Sequence, residues 1–224
     1  MRIRSELQSE SIRNSRVGRS PLIGIKRLRV GTDGRGVTTL VAFNGCPLRC
    51  KYCLNPQCWG AIVPEKMKSA DEVMAILRKD ELYFLATGGG ITFGGGEPLS
   101  HPVFIKELLE LGAKSWRITA ETSLNVPQEH LAMLLSYIDE YVVDVKDMNT
   151  QTYKAYTGRD NELVKSNLRW LIQQGKANNI LCRIPLIPKF NTQETQQASL
   201  RELKEMGIRR FDMFTYKTNI NKII

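Results

Sequence analysis

The sequence predicts an α/β fold built from six parallel strands alternating with helices. Two observations carry that prediction. From about residue 38, short β-rich runs alternate with helical stretches, and no internal repeat or low-complexity linker breaks the alternation. At 224 residues the chain is also long enough to bury a core within one larger domain. Such alternation means parallel strands joined by right-handed crossovers, either closed into a barrel or left open.

Taken in order, "TTLVAF" (38–43) is the first strand and runs straight into a cysteine-rich loop. "SADEVMAILRKD" (69–80) reads as a helix: Ser69 is an N-cap, Glu72 completes a capping box, and Val73, Ile76 and Leu77 recur at helical spacing. "GITF" (90–93) is a strand between glycines, and "HPVFIKELLELG" (101–112) a helix that Gly112 can close. Strand "WRITAE" (116–121), a helix from Pro127 to about Ile138 and strand "YVVDVK" (141–146) follow. The series continues through helix 161–175, strand "ILCRIPLI" (180–187), helix 192–207 and a last strand "FDMFTY" (211–216).

In either form of the fold the C-terminal ends of the strands collect functional groups. The cysteine loop follows strand one, Gly95, Gly96 and Glu97 follow strand two, Glu121 ends strand three, and Asp144 and Lys146 end strand four. These converge on one rim. Arg183 lies within strand five, where strand direction alone leaves its facing open.

The net charge of +9 is uneven, because residues 1–29 hold eight Arg or Lys against Glu6 and Glu10. A basic arm of this kind suits nucleic acid or an acidic protein face. No aromatics interleave the charges as a single-strand groove needs, so a solvated terminus is the preferred reading and nucleic acid is not expected. No apolar run approaches the ~18 residues of a membrane span, and the basic, serine-rich start lacks a secretory apolar stretch. A soluble cytoplasmic protein without membrane attachment is expected.

Four of the five cysteines fall within "CPLRCKYCLNPQC" (46–58), with C-x3-C-x2-C spacing over Cys46, Cys50 and Cys53 and Cys58 trailing by five. Clustering in one loop argues against a disulfide framework and for metal. Structural zinc wants four closed ligands, usually as two separated pairs, and no second knuckle follows. Cys58 could close a four-thiolate site for zinc or electron transfer, but ferredoxin-type spacing differs. The pattern favours an open iron–sulfur cluster held on three irons, with Cys58 a bystander. Cys182, inside an apolar strand, reads as a core residue.

The cysteine loop resembles that of radical S-adenosylmethionine enzymes, and the chain as a whole is similar to the activating enzymes of glycyl-radical enzymes. The resemblance runs through "DGRGVTT" (33–39), "GCPLRCKYCLNP" (45–56), "GGGITFGGGEPL" (88–99), "ETSL" (121–124), "DVKDMNTQTYKAYTG" (144–158), "NLRWL" (167–171) and "RIPLIPKFN" (183–191). It implies a partial (β/α)6 barrel over residues 22–224, with the cluster and cofactor at the C-terminal ends of the parallel strands, preceded by a basic arm over 1–21. It also departs in places. Leu54 stands where histidine is frequent, although Asn55 is kept, and "MFTYKTN" (213–219) lacks the Pro-Tyr-His that closes the ribose side of the pocket in many activating enzymes.

By this resemblance Cys46, Cys50 and Cys53 ligate a [4Fe–4S] cluster whose fourth iron takes the amino and carboxylate groups of S-adenosylmethionine. Tyr52 would lie near the adenine, with Asn55 also in the cofactor site. Gly95, Gly96 and Glu97 would contact the methionine ammonium. Glu121, Asp144 and Lys146 would surround the cofactor carboxylate, the acids helping to hold a monovalent cation, and Arg183 would face the cofactor. The implied partners are a glycyl-radical enzyme, one backbone glycine of which loses a hydrogen, and a flavodoxin- or ferredoxin-type electron donor. The alternative is a radical enzyme that modifies a peptide or small metabolite directly.

Overall fold

The computed structural model describes residues 18–216. Among these the chain forms strands β1 (Arg19–Val30), β2 (Val37–Phe43), β3 (Met67–Ser69), β4 (Gly90–Gly95), β5 (Arg117–Thr122), β6 (Glu140–Asp144), β7 (Ile180–Leu186) and β8 (Arg210–Thr215). The helices are α1 (Ala70–Leu77), α2 (Glu81–Thr87), α3 (Pro102–Glu110), α4 (Gln128–Leu134), α5 (Thr150–Thr157), α6 (Glu162–Gln173) and α7 (Gln193–Glu205).

The six expected strands are β2, β4, β5, β6, β7 and β8, and they pair in that order with every pairing parallel. Helices cover the outer face. Val41, Phe43, Ile91, Phe93, Ile118, Ala120, Val143, Cys182 and Ile184 belong to one core cluster with Leu77, Ile105, Leu131, Leu168 and Leu203 of the helices. Burying each such side chain contributes about 1.5–3 kcal/mol, so this face dominates the favourable side of folding. Cys182 is fully buried in it, as a core residue would be. Sheet order ends at β3 on one side and β8 on the other, so the barrel is partial and open.

Two strands were not legible. β1 pairs antiparallel with β2 and, at its start, with β3. It carries Pro21, Gly24, four basic residues, two register shifts and a left-handed Leu28, which are the features of an edge strand rather than of an apolar run. Its first three residues fall within the stretch read as a basic arm, and residues 1–17 of that arm lie outside the described residues.

The capping box read at Ser69 forms, and a second one opens the last helix. Ser69 accepts from the Glu72 N–H while Glu72 accepts from the Ser69 N–H, and Thr192 opens α7 in the same way with Thr195. The helix read over 69–80 stops at Leu77 and gives way to a short 3-10 turn, after which α2 is a further helix. That junction is fixed by Asp80, which is fully buried and accepts from the Arg27 guanidinium and from the Thr39 hydroxyl at 2.8 Å. No helix among the described residues is long and apolar enough to cross a membrane.

Candidate active site

At the C-terminal ends of the parallel strands lies a cavity of about 350 Å3, within the ~300–1,000 Å3 of small-molecule sites. Its lining includes Cys46, Cys50, Cys53, Asn55 and Cys58 of the loop after β2, Gly95 and Gly96 at the end of β4, Glu121 near the end of β5, Asp144 and Lys146 at the end of β6, and Arg183 of β7. Residues expected on one rim from their strand positions therefore share one space. Arg183 joins them because the pairing register sets it beside Asp144 on one side and Asp212 on the other.

The cysteine loop is clamped at both ends. On the sheet side the Gly96 N–H donates to Phe43 O at 2.9 Å, the Glu97 N–H to Gly45 O at 2.8 Å, and the Asn55 amide to Gly95 O at 3.1 Å. On the other side the Arg49 and Lys51 N–H groups donate to Thr157 O and Tyr156 O at 2.8 and 3.1 Å. The glycines are required by this contact. Gly95 has φ +96°, and a Cβ there would lie 2.8 Å from that of Ala42. At Gly96 a Cβ would run into the Gly45 carbonyl.

Glu97 is turned into the protein interior. Its carboxylate is buried and absent from the cavity lining. One oxygen accepts from the Thr122 hydroxyl at 2.7 Å and the Leu99 N–H at 3.2 Å, the other from the Ser123 N–H and hydroxyl at 2.8 and 2.6 Å. Those bonds tie it to Thr122 and Ser123, which do line the cavity. Burial pushes its carboxyl up despite those four donors.

Tyr52 stands beside the cavity rather than in its lining. Its hydroxyl donates to Pro188 O at 3.3 Å, and its ring sits in an aromatic cluster with Tyr156, Phe190 and Tyr216. Tyr216 is the member of this cluster that lines the cavity, with Lys146 Nζ 6.0 Å from its ring centre.

Among the charged groups, Lys146 Nζ is 2.8 Å from Asp144, and Arg183 is 2.9 Å from Glu121 and 3.8 Å from Asp212. Lys146 adopts a left-handed backbone, φ +64°, which turns the chain back over the strand end. Burial opposes charge on Asp144, but Lys146 and Arg183 outweigh it and hold the carboxyl below its ordinary range. Burial opposes the Lys146 charge too, and Asp144 overcomes it, so the ammonium stays protonated well beyond the usual lysine range. Glu121 is the contrary case, since burial pushes its carboxyl up and Arg183 offsets this only in part.

Burial raises the Cys46 thiol to about 12, with Glu97 adding to it, and raises Cys50 against the pull of Lys146. Cys53 is lowered to about 6, chiefly by a hydrogen bond with Cys58. Cys58, read as a bystander, is therefore a buried neighbour of one ligand candidate, and its carbonyl accepts from the Gly45 N–H at 2.8 Å.

The donor set fits an iron–sulfur cluster, since soft thiols from one short loop face a cavity that also holds cations, acids and open backbone. Among the described residues no three His, Cys, Asp or Glu side chains converge closely enough for a single metal ion. A cluster asks for less convergence, because each thiolate takes its own iron.

Sequence reasoning missed Asp33 and Tyr216. The turn between β1 and β2 enters the barrel from the opposite end: Asp33 is buried, pairs with Arg29, and its carbonyl accepts from the Thr92 hydroxyl at 2.6 Å. Asp33, Thr32 and Arg29 thus form part of the cavity wall. "DGRG" was visible as a motif, but its contact with a residue 59 positions away was not. His101 is a structural residue, with its ring nitrogens on Ser20 Oγ and Asn44 O, both at 2.9 Å.

Residues 40–201 match the family model described as the radical SAM superfamily. The chain is 30% identical to the choline trimethylamine-lyase activating enzyme of Oleidesulfovibrio alaskensis, over 76% of this chain and 73% of that protein. It is 35% identical to the pyruvate formate-lyase-activating enzyme of Clostridium pasteurianum, over 57% of this chain and 53% of that one. In fold it is similar to Streptococcus suis SuiB bound to S-adenosylmethionine, with a TM-score of 0.57 and 19% identity over 83% of this chain. It spans 42% of the SuiB chain.

Proposed function

This chain belongs to the radical S-adenosylmethionine superfamily and, within it, to the activating enzymes of glycyl-radical enzymes; we propose that it takes a hydrogen atom from one backbone glycine of such a partner. The observation that carries this reading is the single cavity in which three thiols of one loop meet Gly95, Gly96, Glu121, Asp144, Lys146 and Arg183. Both curated relatives described above are activating enzymes, which weighs against direct action on a peptide or small metabolite.

Cys46, Cys50 and Cys53 would hold a [4Fe–4S] cluster through three of its irons. When bound, the cluster would supply one electron to the sulfonium of S-adenosylmethionine, so that a carbon–sulfur bond breaks to give methionine and a 5′-deoxyadenosyl radical able to take the glycine hydrogen. The chain's own residues prepare the place. Gly95 and Gly96 allow the cysteine loop to pack onto the strand end while their backbone lines the cavity, where an ammonium would meet it. Lys146, kept cationic by Asp144, is the counter-charge for a carboxylate. Asp144 and Glu121 offer acid oxygens for a monovalent cation. Arg183 neutralises Glu121 and closes that wall. Leu40, Leu48 and Leu54 contribute apolar surface that limits water where a radical must be kept from quenching. A flavodoxin- or ferredoxin-type protein would be the electron donor. A glycine hydrogen suits the reaction because the flanking amides stabilise the radical left behind.

Anaerobic reconstitution tests the reading. It should give about four irons per chain, reductive cleavage of S-adenosylmethionine, and a glycine-centred paramagnetic signal when a glycyl-radical enzyme is supplied. Cys53→Ala should lose iron and cleavage together, while Cys58→Ala should keep both. The opposite result would refute the ligand assignment.

A further inference from the structure

We propose that the outer face of the cysteine loop is the docking surface for the electron donor, and that this donor is a protein with an acidic rim around a one-electron centre. The proposal rests on the function above and specifies the partner that function needs. Arg49 and Lys51 stand between the ligand cysteines and are exposed. Their backbone bonds to Thr157 and Tyr156 bring the end of α5 alongside, and with it exposed Lys154 and Arg159. Gly158 lies against Arg49, a Cβ there falling 3.9 Å from that of Arg49. Exposed Lys189 follows Pro188, which Tyr52 contacts from within the loop.

Among the described residues none of these five cations lies within ion-pair distance of a carboxylate, although Asp160 and Glu162 are exposed acids next along the chain from Arg159. Such a patch repels itself across a Debye length of about 8 Å, a cost that an acidic partner removes. It also has an apolar margin. The Arg49 guanidinium sits 5.2 Å over the Trp59 ring, whose indole N–H is buried with no partner among the described residues, and Ile62 and Val63 are exposed just beyond. Aromatic and arginine anchors with a charged rim are the usual make-up of a specific interface.

The position selects an electron donor over the glycine-bearing partner. A glycine must enter the cavity, whereas an electron need only reach a ligand residue. Arg49 supplies a short bonded route, its Nη1 donating to the Cys46 carbonyl at 2.7 Å. In the transfer the donor loses one electron and the loaded protein gains one; no atom or proton changes hands.

The test uses the reconstituted protein and a reduced flavodoxin of net negative charge. Lys51→Glu/Arg159→Glu should weaken flavodoxin binding, followed by calorimetry, by about tenfold or more and flatten its salt dependence. Lys51→Gln/Arg159→Gln should do the same to a smaller degree. Iron content and dithionite-driven cleavage of S-adenosylmethionine should match the parent protein. Unchanged flavodoxin binding, or dithionite-driven cleavage that falls in step with it, would overturn the proposal. So would unchanged flavodoxin binding accompanied by weaker binding of the glycyl-radical enzyme, which would give the face to that partner. If the parent protein fails to cleave S-adenosylmethionine with dithionite, the proposed function fails, while the binding measurement still reports on the patch.

Discussion

At the residue scale, the site depends on which polar atoms are committed inside the protein and which are left for a ligand. Glu97 shows the difference. Replacing it by Gln turns one acceptor into a donor, and because the Leu99 and Ser123 N–H groups are held on different oxygens, one of them must lose its partner. An unpaired buried N–H costs about 1–3 kcal/mol. Glu97→Gln should therefore lower thermal stability and, by releasing Ser123 at the cavity wall, weaken S-adenosylmethionine binding measured by calorimetry. A binding constant unchanged alongside lowered stability would limit Glu97 to holding the fold. The Asp144 carboxyl is held low by Lys146 and Arg183, so its contribution is present above the ordinary carboxylate range and fades as pH falls through its folded value. Asp144→Asn should accordingly melt about 2–4 °C below the parent at neutral pH, a shift of roughly 1 kcal/mol in a chain of this size, kept small by the open part of the side chain. The two melting curves should converge in acid, and a gap that widens there would contradict the assignment.

At the scale of elements, the junction between α1 and α2 is held to β1 and β2 by Asp80. Asp80→Ala removes the acceptor for the Thr39 hydroxyl and leaves Arg27 unpaired, although Arg27 can turn toward water. A loss of about 2–3 kcal/mol is expected, the range of charged hydrogen bonds, and thermal melting should show it as a fall of about 5–10 °C. Iron uptake at the far end of the strands should survive in whatever fraction remains folded. The same elements show why sequence reading succeeds or fails. β2, β4 and β6 are covered on both faces and read as apolar runs. β1 alternates poorly and carries charge because it faces solvent at an edge, and α5 is polar enough to pass for a loop, with Asn149 as its cap and Gly158 as its stop.

At the scale of the whole molecule, one loop of thiols spans the rim and touches the sheet, α5 and the turn after β4. A cluster bound there joins these parts and is absent from the unfolded chain, so loading should raise the melting temperature by about 5–10 °C, as occupancy near a hundredfold above the dissociation constant would. Removing the iron with a chelator under reducing conditions should reverse the gain; equal melting of loaded and iron-free protein would argue that the loop is rigid without it. The sequence by itself determined the six parallel strands, the three-cysteine spacing and the strand-end positions of Gly95, Gly96, Glu121, Asp144 and Lys146, because apolar period and local spacing are written in consecutive residues. Only the tertiary structure decided that Glu97 turns inward to Thr122 and Ser123, that Tyr52 stands behind Tyr216, that Arg183 faces the cavity and that Asp33 reaches it from the opposite end of the barrel. Those outcomes depend on contacts between residues far apart in the chain and on which face of a strand meets the interior, and neither is carried by a run of neighbouring residues.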